Sequence, residues 1–282
     1  MFTAMADVLA GFLMTSDSFS PVAKFTGLLA ASVCLYWSGM VFNDVFDLKQ
    51  DQAERPGRPI PSGDIPIRSA VIFGTTLMVL GIVLAGCVSV SSLMIAACLA
   101  VTILAYDGGL KRTVLGPLAM GGCRFFNILL AASAIGDWPL IWQRPQLQVA
   151  AGLGVYVVGL TWFARNEASK SQRNQLIAAA IVCLTGVMIL GQLPFHSNGA
   201  VSPSVIQTAL VIIAVVVGRR LLTAISKPEP RAIQLAIKTM LLSIVTIDAT
   251  MIYFRTGNAV YALVAVALIV PAMLLSRRFA MT

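Results

Sequence analysis

Charge is what this chain most lacks. Only 11% of its 282 residues are charged, against 58% hydrophobic, and its mean hydropathy is +0.86. A soluble domain carries about a quarter charged residues, so there are too few here to cover a water-facing surface. Histidine is almost missing. His196, in a polar stretch with Pro194, Ser197, Asn198 and Gly199, is the sole one, which excludes a zinc or haem centre built on imidazoles. The five cysteines, Cys34, Cys87, Cys98, Cys123 and Cys183, sit singly inside apolar runs. They have neither metal-ligand spacing nor a disulfide pattern, and read as small packing residues. Residues 1–14 lack the basic start of a secretory signal and contain Asp7, so they read as a short first helix.

What is present is a succession of apolar runs. A spanning helix needs about 20 mainly apolar residues. Candidate spans are 1–15, 22–42, 67–88, 90–106, 114–135, 147–164, 175–193, 203–218, 233–254 and 258–276. The expected fold is all-α, a polytopic transmembrane bundle of nine or ten spans, with residues 1–282 forming one integral membrane domain. The net charge of +8 does not call for nucleic acid, because basic residues of membrane proteins serve cytoplasmic loops and anionic lipid. Fifteen of the 20 basic residues fall in one set of loops, and only Lys24, Arg144 and Arg255 in the other. That bias makes the first set cytoplasmic and favours ten spans. The expected location is a bacterial inner membrane, with the chemistry on the cytoplasmic side.

The second span runs without charge past Tyr36, Trp37 and Met40 and then meets Asn43, Asp44, Asp47 and Asp51. If the helix continues, the three aspartates fall at i, i+3 and i+7 on one narrow face. Carboxylates so crowded call for a hard cation, and Mg²⁺ prefers oxygen ligands while keeping water or phosphate in its shell. Such a cluster at a membrane helix end can hold Mg²⁺ and a diphosphate while a lipid tail stays among apolar helices. The alternative is a solvated helix end.

This pattern resembles the first Asp-rich motif of the UbiA superfamily of intramembrane prenyltransferases. The following Arg55-Pro56-Gly57-Arg58-Pro59-Ile60-Pro61-Ser62-Gly63 is similar to the Arg-Pro and Ser-Gly segment behind that motif. Tyr106-Asp107-Gly108-Gly109-Leu110-Lys111-Arg112 matches a place where the family has an aromatic residue followed by Lys-Arg. Asp7-Val8-Leu9-Ala10-Gly11 and the Arg-Pro-Gly-Arg-Pro segment resemble the EboC-like branch. The resemblance implies Mg²⁺-dependent prenyl transfer from a polyprenyl diphosphate to an acceptor at the membrane boundary. It implies that Asn43, Asp44, Asp47 and Asp51 bind the Mg²⁺–diphosphate, and that Arg58 with Lys111 or Arg112 meets phosphate oxygens. Cations there offset the charge building on a departing diphosphate. For each of these basic residues the alternative is a loop that obeys the positive-inside rule.

One departure stands out. The family has a second Asp-rich motif after the sixth span, but residues 162–174 contain a single acid, Glu167. Glu167, Ser171 and Asn174 share a helix face at i, i+4 and i+7, a weaker polar site in which Glu167 is the candidate ligand of a second Mg²⁺ and Ser171 a substrate contact. This leaves room for a relative that binds a prenyl lipid without turning it over, and ten spans also permit a small-molecule transporter. Within the spans, Arg124 and Asn127 lie three apart on one face, to line a polar cavity or to partner a buried carboxylate. Asp7 and Asp248 are buried acids that serve an acceptor or pair with a basic residue. Nothing in the sequence chooses the acceptor.

Overall fold

In a bilayer an apolar run must satisfy its own backbone, and helix is the open-chain way to do so. The computed structural model describes residues 1–165, 173–193, 199–271 and 273, and among them the regular structure is entirely helical. The helices are α1 (Phe2–Thr15), α2 (Val22–Phe46), α3 (Leu48–Glu54), α4 (Ile67–Val88), α5 (Val90–Gly108), α6 (Gly116–Ala132), α7 (Trp138–Ile141), α8 (Gln146–Arg165), α9 (Arg173–Gly191), α10 (Pro203–Ser226), α11 (Pro230–Thr256) and α12 (Ala259–Ala267). Eight of them, α2, α4, α5, α6, α8, α9, α10 and α11, are long and apolar enough to cross a membrane. Two shorter apolar helices, Phe2–Thr15 and Ala259–Pro271, complete the ten apolar segments read from the sequence. The chain is an integral membrane helical bundle.

The bundle is built around its first helix. Every residue of α1 from Asp7 to Met14 is buried, and α1 packs against α2, α6, α8 and α11. Gly11 permits the closest of these approaches. A Cβ there would stand 2.3 Å from the Ile128 carbonyl oxygen of α6. Around α1, α2 packs on α4 and α5, α6 on α5 and α8, α8 on α9, and α10 on α9 and α11. Outward faces carry large apolar side chains such as Ile72, Phe73, Val83 and Leu222, as a lipid-facing surface should.

Two breaks interrupt this succession of helices. Ser89 alone, in extended conformation, separates α4 from α5, and its hydroxyl caps α5 by accepting from the Ser92 N–H at 3.0 Å. The second break corrects the sequence reading. The helix carrying the acidic motif does not run on through Asp51. It ends at Phe46, Asp47 takes φ −89°, ψ 4° at the joint, and α3 restarts at Leu48. The three aspartates therefore divide between two helices and their junction.

Candidate active site

The acidic residues at this junction are distributed among cations. Arg58 Nη1 donates to Asp51 Oδ2 at 2.7 Å and to Asp44 Oδ1 at 3.3 Å. Asp51 is nearly buried, at 8% side-chain exposure, whereas Asp44 is half exposed. Asp47 turns the other way. Its Oδ2 accepts from Lys111 Nζ at 2.6 Å and its Oδ1 from Arg112 Nη2 at 3.1 Å. Lys111 also donates to Asn43 Oδ1 at 2.7 Å, and Asp107 Oδ1 lies 3.9 Å from the same ammonium. Repulsion among the carboxylates is relieved by giving each a positive neighbour, and no three acidic residues among the described ones form a ready-made metal cage.

Local structure fixes these cations. Arg58 belongs to a proline-rich loop in which Pro56, Pro59 and Pro61 preclude a continued helix. The loop is closed by Arg58 N–H to Arg55 C=O at 3.1 Å and Ile65 N–H to Pro59 C=O at 2.9 Å. Lys111 and Arg112 lie on a single 3₁₀ turn, Leu110–Arg112, between α5 and α6. Gly116 lets α6 begin against that turn, since a Cβ there would stand 2.9 Å from the Leu110 carbonyl.

Behind the junction lies a cavity of about 350 Å³ between α1, α2, α5 and α6. Asn43, Tyr106 and Asp107 stand at its mouth, Met40, Leu99, Ile103 and Met120 along its walls, and Asp7, Ser32, Arg124 and Asn127 at its inner end. Ser32 is eleven residues before Asn43 on α2, so the cavity is roughly 16 Å deep at 1.5 Å per residue. Of the aromatic residues near this end, Tyr36 and Tyr106 line the chamber. Trp37 and Phe46 are over 40% exposed on outward faces, and Phe163 is core.

By the chemistry of its donors, not by a preformed cage, the motif suits a magnesium ion. The donor set is all oxygen, from Asn43, Asp44, Asp47, Asp51 and Asp107, and an ammonium already sits among Asn43, Asp47 and Asp107. Arg58, Lys111 and Arg112 are brought to the motif as read from the sequence, while the Arg55 side chain is exposed. Arg124 and Asn127 reach the inner end of the same cavity, and Arg124 also partners a buried carboxylate, Asp7. Glu167 and Ser171 lie outside the described residues. Sequence reasoning gave no site role to Asp107, although a lone acid ending an apolar run beside Tyr106 was its signal, or to Ser32, which carried none.

A sequence profile of the UbiA prenyltransferase family matches residues 4–281. Curated relatives include the digeranylgeranylglyceryl phosphate synthases of Methanoculleus marisnigri, 35% identical over 113 residues, and Methanosarcina barkeri, 32% identical over 144. These matches cover 40% and 48% of this chain and 40% and 50% of the relatives, so the chain spans half or less of the curated proteins it matches. A solved digeranylgeranylglyceryl phosphate synthase superposes with a TM-score of 0.72 at 18% identity, covering 91% of this chain and 94% of its own. A UbiA homologue from Archaeoglobus fulgidus, solved with DMAPP and Mg²⁺, superposes with a TM-score of 0.71 at 10% identity, covering 94% and 95%. The fold is that of these membrane proteins, and the match over nearly the whole sequence means that the chain belongs to the UbiA prenyltransferase family.

Proposed function

We propose that this protein, as one membrane domain, transfers a prenyl group from a polyprenyl diphosphate to an acceptor held inside the membrane, with Mg²⁺ as cofactor. The observation that carries the reading is the Lys111 ammonium, 2.6 Å from Asp47 and 2.7 Å from Asn43, at the mouth of an apolar-walled chamber. A polar cation-and-carboxylate mouth suits a diphosphate, and the chamber suits an isoprenoid. The archaeal relatives, one solved with DMAPP and Mg²⁺, support the same pairing of ligand and ion.

In this scheme Asn43, Asp44, Asp47 and Asp51 hold Mg²⁺, and Glu167 is the candidate ligand of a second ion. When bound, the metal withdraws charge from the diphosphate and makes it a better leaving group. Lys111 and Arg58 turn from carboxylate to phosphate oxygens, forming charge-assisted bonds that strengthen as the allylic C–O bond breaks and its electrons pass to the diphosphate. Tyr36 and Tyr106 offer ring faces to the positive allylic carbon. Met40, Leu99, Ile103 and Met120 keep water from capturing it. The acceptor's nucleophile bonds to that carbon and its proton passes to the released diphosphate. The abundance of basic residues in the loops at this end supports a cytoplasmic mouth, in what we take to be a bacterial inner membrane.

The test is incubation of purified protein with geranyl diphosphate and membrane lipid extract. Mg²⁺-dependent diphosphate release together with a prenylated lipid is the expected result. The single acid in residues 162–174 favours one other reading, a silent prenyl-lipid binder. Tight prenyl-diphosphate binding with no product in any lipid fraction would select it.

A further inference from the structure

The inner end of the chamber has a composition that an isoprenoid tail does not need. Asp7 is fully buried, and its Oδ2 accepts from Arg124 Nη1 at 2.6 Å and Asn127 Nδ2 at 3.1 Å. Arg124 Nη2 donates to the Thr3 hydroxyl, Asn127 Nδ2 to the Ala4 carbonyl at 3.0 Å, and Ser32 Oγ to Asn127 Oδ1 at 2.6 Å. Behind them Asp248 of α11, also fully buried, faces Asp7 within hydrogen-bonding reach. Asp7 Oδ1 and both Asp248 oxygens have no donor among the described residues. Buried acceptors without donors are costly, by about 1–3 kcal/mol each, and one proton held between Asp7 and Asp248 relieves that cost from within the pair.

Charge decides what this end of the chamber can take. Two carboxyl groups face one guanidinium, and the three sum to neutral once a single proton is shared between Asp7 and Asp248. Arg124 is thus already neutralised, with two of its five N–H groups committed. A carboxylate arriving here would find no free cation and would be a lone buried charge, which a low-dielectric site disfavours strongly. A hydroxyl needs no counter-charge, and because it both donates and accepts it can bond to Arg124, Asn127 and Ser32, which line this end of the cavity.

We propose that this inner cluster is the acceptor subsite of the chamber, and that it grips the end of the acceptor remote from the new bond by a neutral hydroxyl group, not by a carboxylate. The proposal rests on the prenyl-transfer reading, which gives the mouth to the diphosphate and the apolar walls to the prenyl chain; the polar inner end suits neither and falls to the second substrate. Asp7 and Asp248 set the class of acceptor by cancelling Arg124.

The experiment compares 4-hydroxybenzyl alcohol with 4-hydroxybenzoate, probes that share ring and phenol and differ in a neutral or an anionic end. Binding of each is measured by calorimetry on purified protein preloaded with Mg²⁺ and geranyl thiodiphosphate. Wild-type protein is expected to bind the alcohol at least about tenfold more tightly. The double variant Asp7→Asn with Asp248→Asn leaves Arg124 as the only charge and should reverse that order. Equal or tighter benzoate binding by wild-type protein, or no binding of either probe while geranyl thiodiphosphate is held, overturns the proposal. So does a folded double variant that keeps the alcohol preference. Should the double variant not fold, the wild-type comparison decides alone. Failure of geranyl thiodiphosphate itself to bind would instead remove the prenyl-transfer reading, and this one with it.

Discussion

Lys111 Nζ lies 2.6 Å from Asp47 Oδ2, so a residue of the α5–α6 turn closes onto the joint between α2 and α3, 64 residues away in sequence. The bond ties the α5–α6 turn to the joint between α2 and α3. It also puts an ammonium where a metal ion would compete with it for the carboxylate, and where a phosphate would compete with the carboxylate for the ammonium.

Lys111→Met removes that competitor and that phosphate contact together. Loss of one preorganised donor of this kind costs about 10²–10³ in rate, so single-turnover prenyl transfer should fall by that factor. Mn²⁺ binding to the variant without diphosphate, followed by electron paramagnetic resonance, should be tighter than in wild-type protein. Unchanged turnover would deny Lys111 its role.

Arg58 and Arg55 separate two explanations for the basic loop. Arg58 bridges Asp44 and Asp51, whereas the Arg55 side chain is exposed. Arg58→Ala should raise KM for geranyl diphosphate by about tenfold, the equivalent of one charge-assisted bond. Arg55→Ala should leave KM within experimental scatter. Equal effects would reduce both to positive-inside residues.

The approach of α1 to α6 is tested at Gly11. Leu in its place meets the Ile128 carbonyl, which is backbone and cannot swing aside. Overpacking of this kind costs about 1–3 kcal/mol, and a lowered midpoint of thermal unfolding in detergent should report it. Gly57→Ala, where nothing lies within 4 Å of the added Cβ, is the matched control.

Arg124 and Asp7 should behave as a buried pair. Removing one partner, as in Arg124→Met, leaves a buried carboxylate without its cation and costs about 3–5 kcal/mol. Asp7→Asn combined with Arg124→Met should recover part of that loss, giving a favourable coupling in a double-mutant cycle of unfolding free energies. Additive losses would mean that the two side chains do not depend on one another.

Much of this was legible in the sequence. Hydropathy alone located the ten apolar helices, because a bilayer requires long uninterrupted runs. The spacing of Asn43, Asp44, Asp47 and Asp51 and the placement of Arg58, Lys111 and Arg112 marked one polar end. The break at Asp47 was not legible, since no Pro or Gly announces it. It depends on where Arg58 and Lys111 pull the carboxylates. The contact of Asp7 with Arg124, 117 residues apart, is set by which helices become neighbours. Periodicity within one helix holds no information about that. Asp107 and Ser32 were overlooked because single polar residues in apolar helices acquire meaning only once their helices face a common cavity.

The central claim is that the joint of α2 and α3 holds a prenyl diphosphate through Mg²⁺. Equilibrium binding of geranyl thiodiphosphate to purified protein, titrated with Mg²⁺, tests it most directly. Affinity should require the metal and fall at least about 100-fold, or roughly 2.7 kcal/mol, in the Asp44→Ala, Asp47→Ala double variant. Equal affinity in the presence of EDTA, or in the double variant, would contradict it.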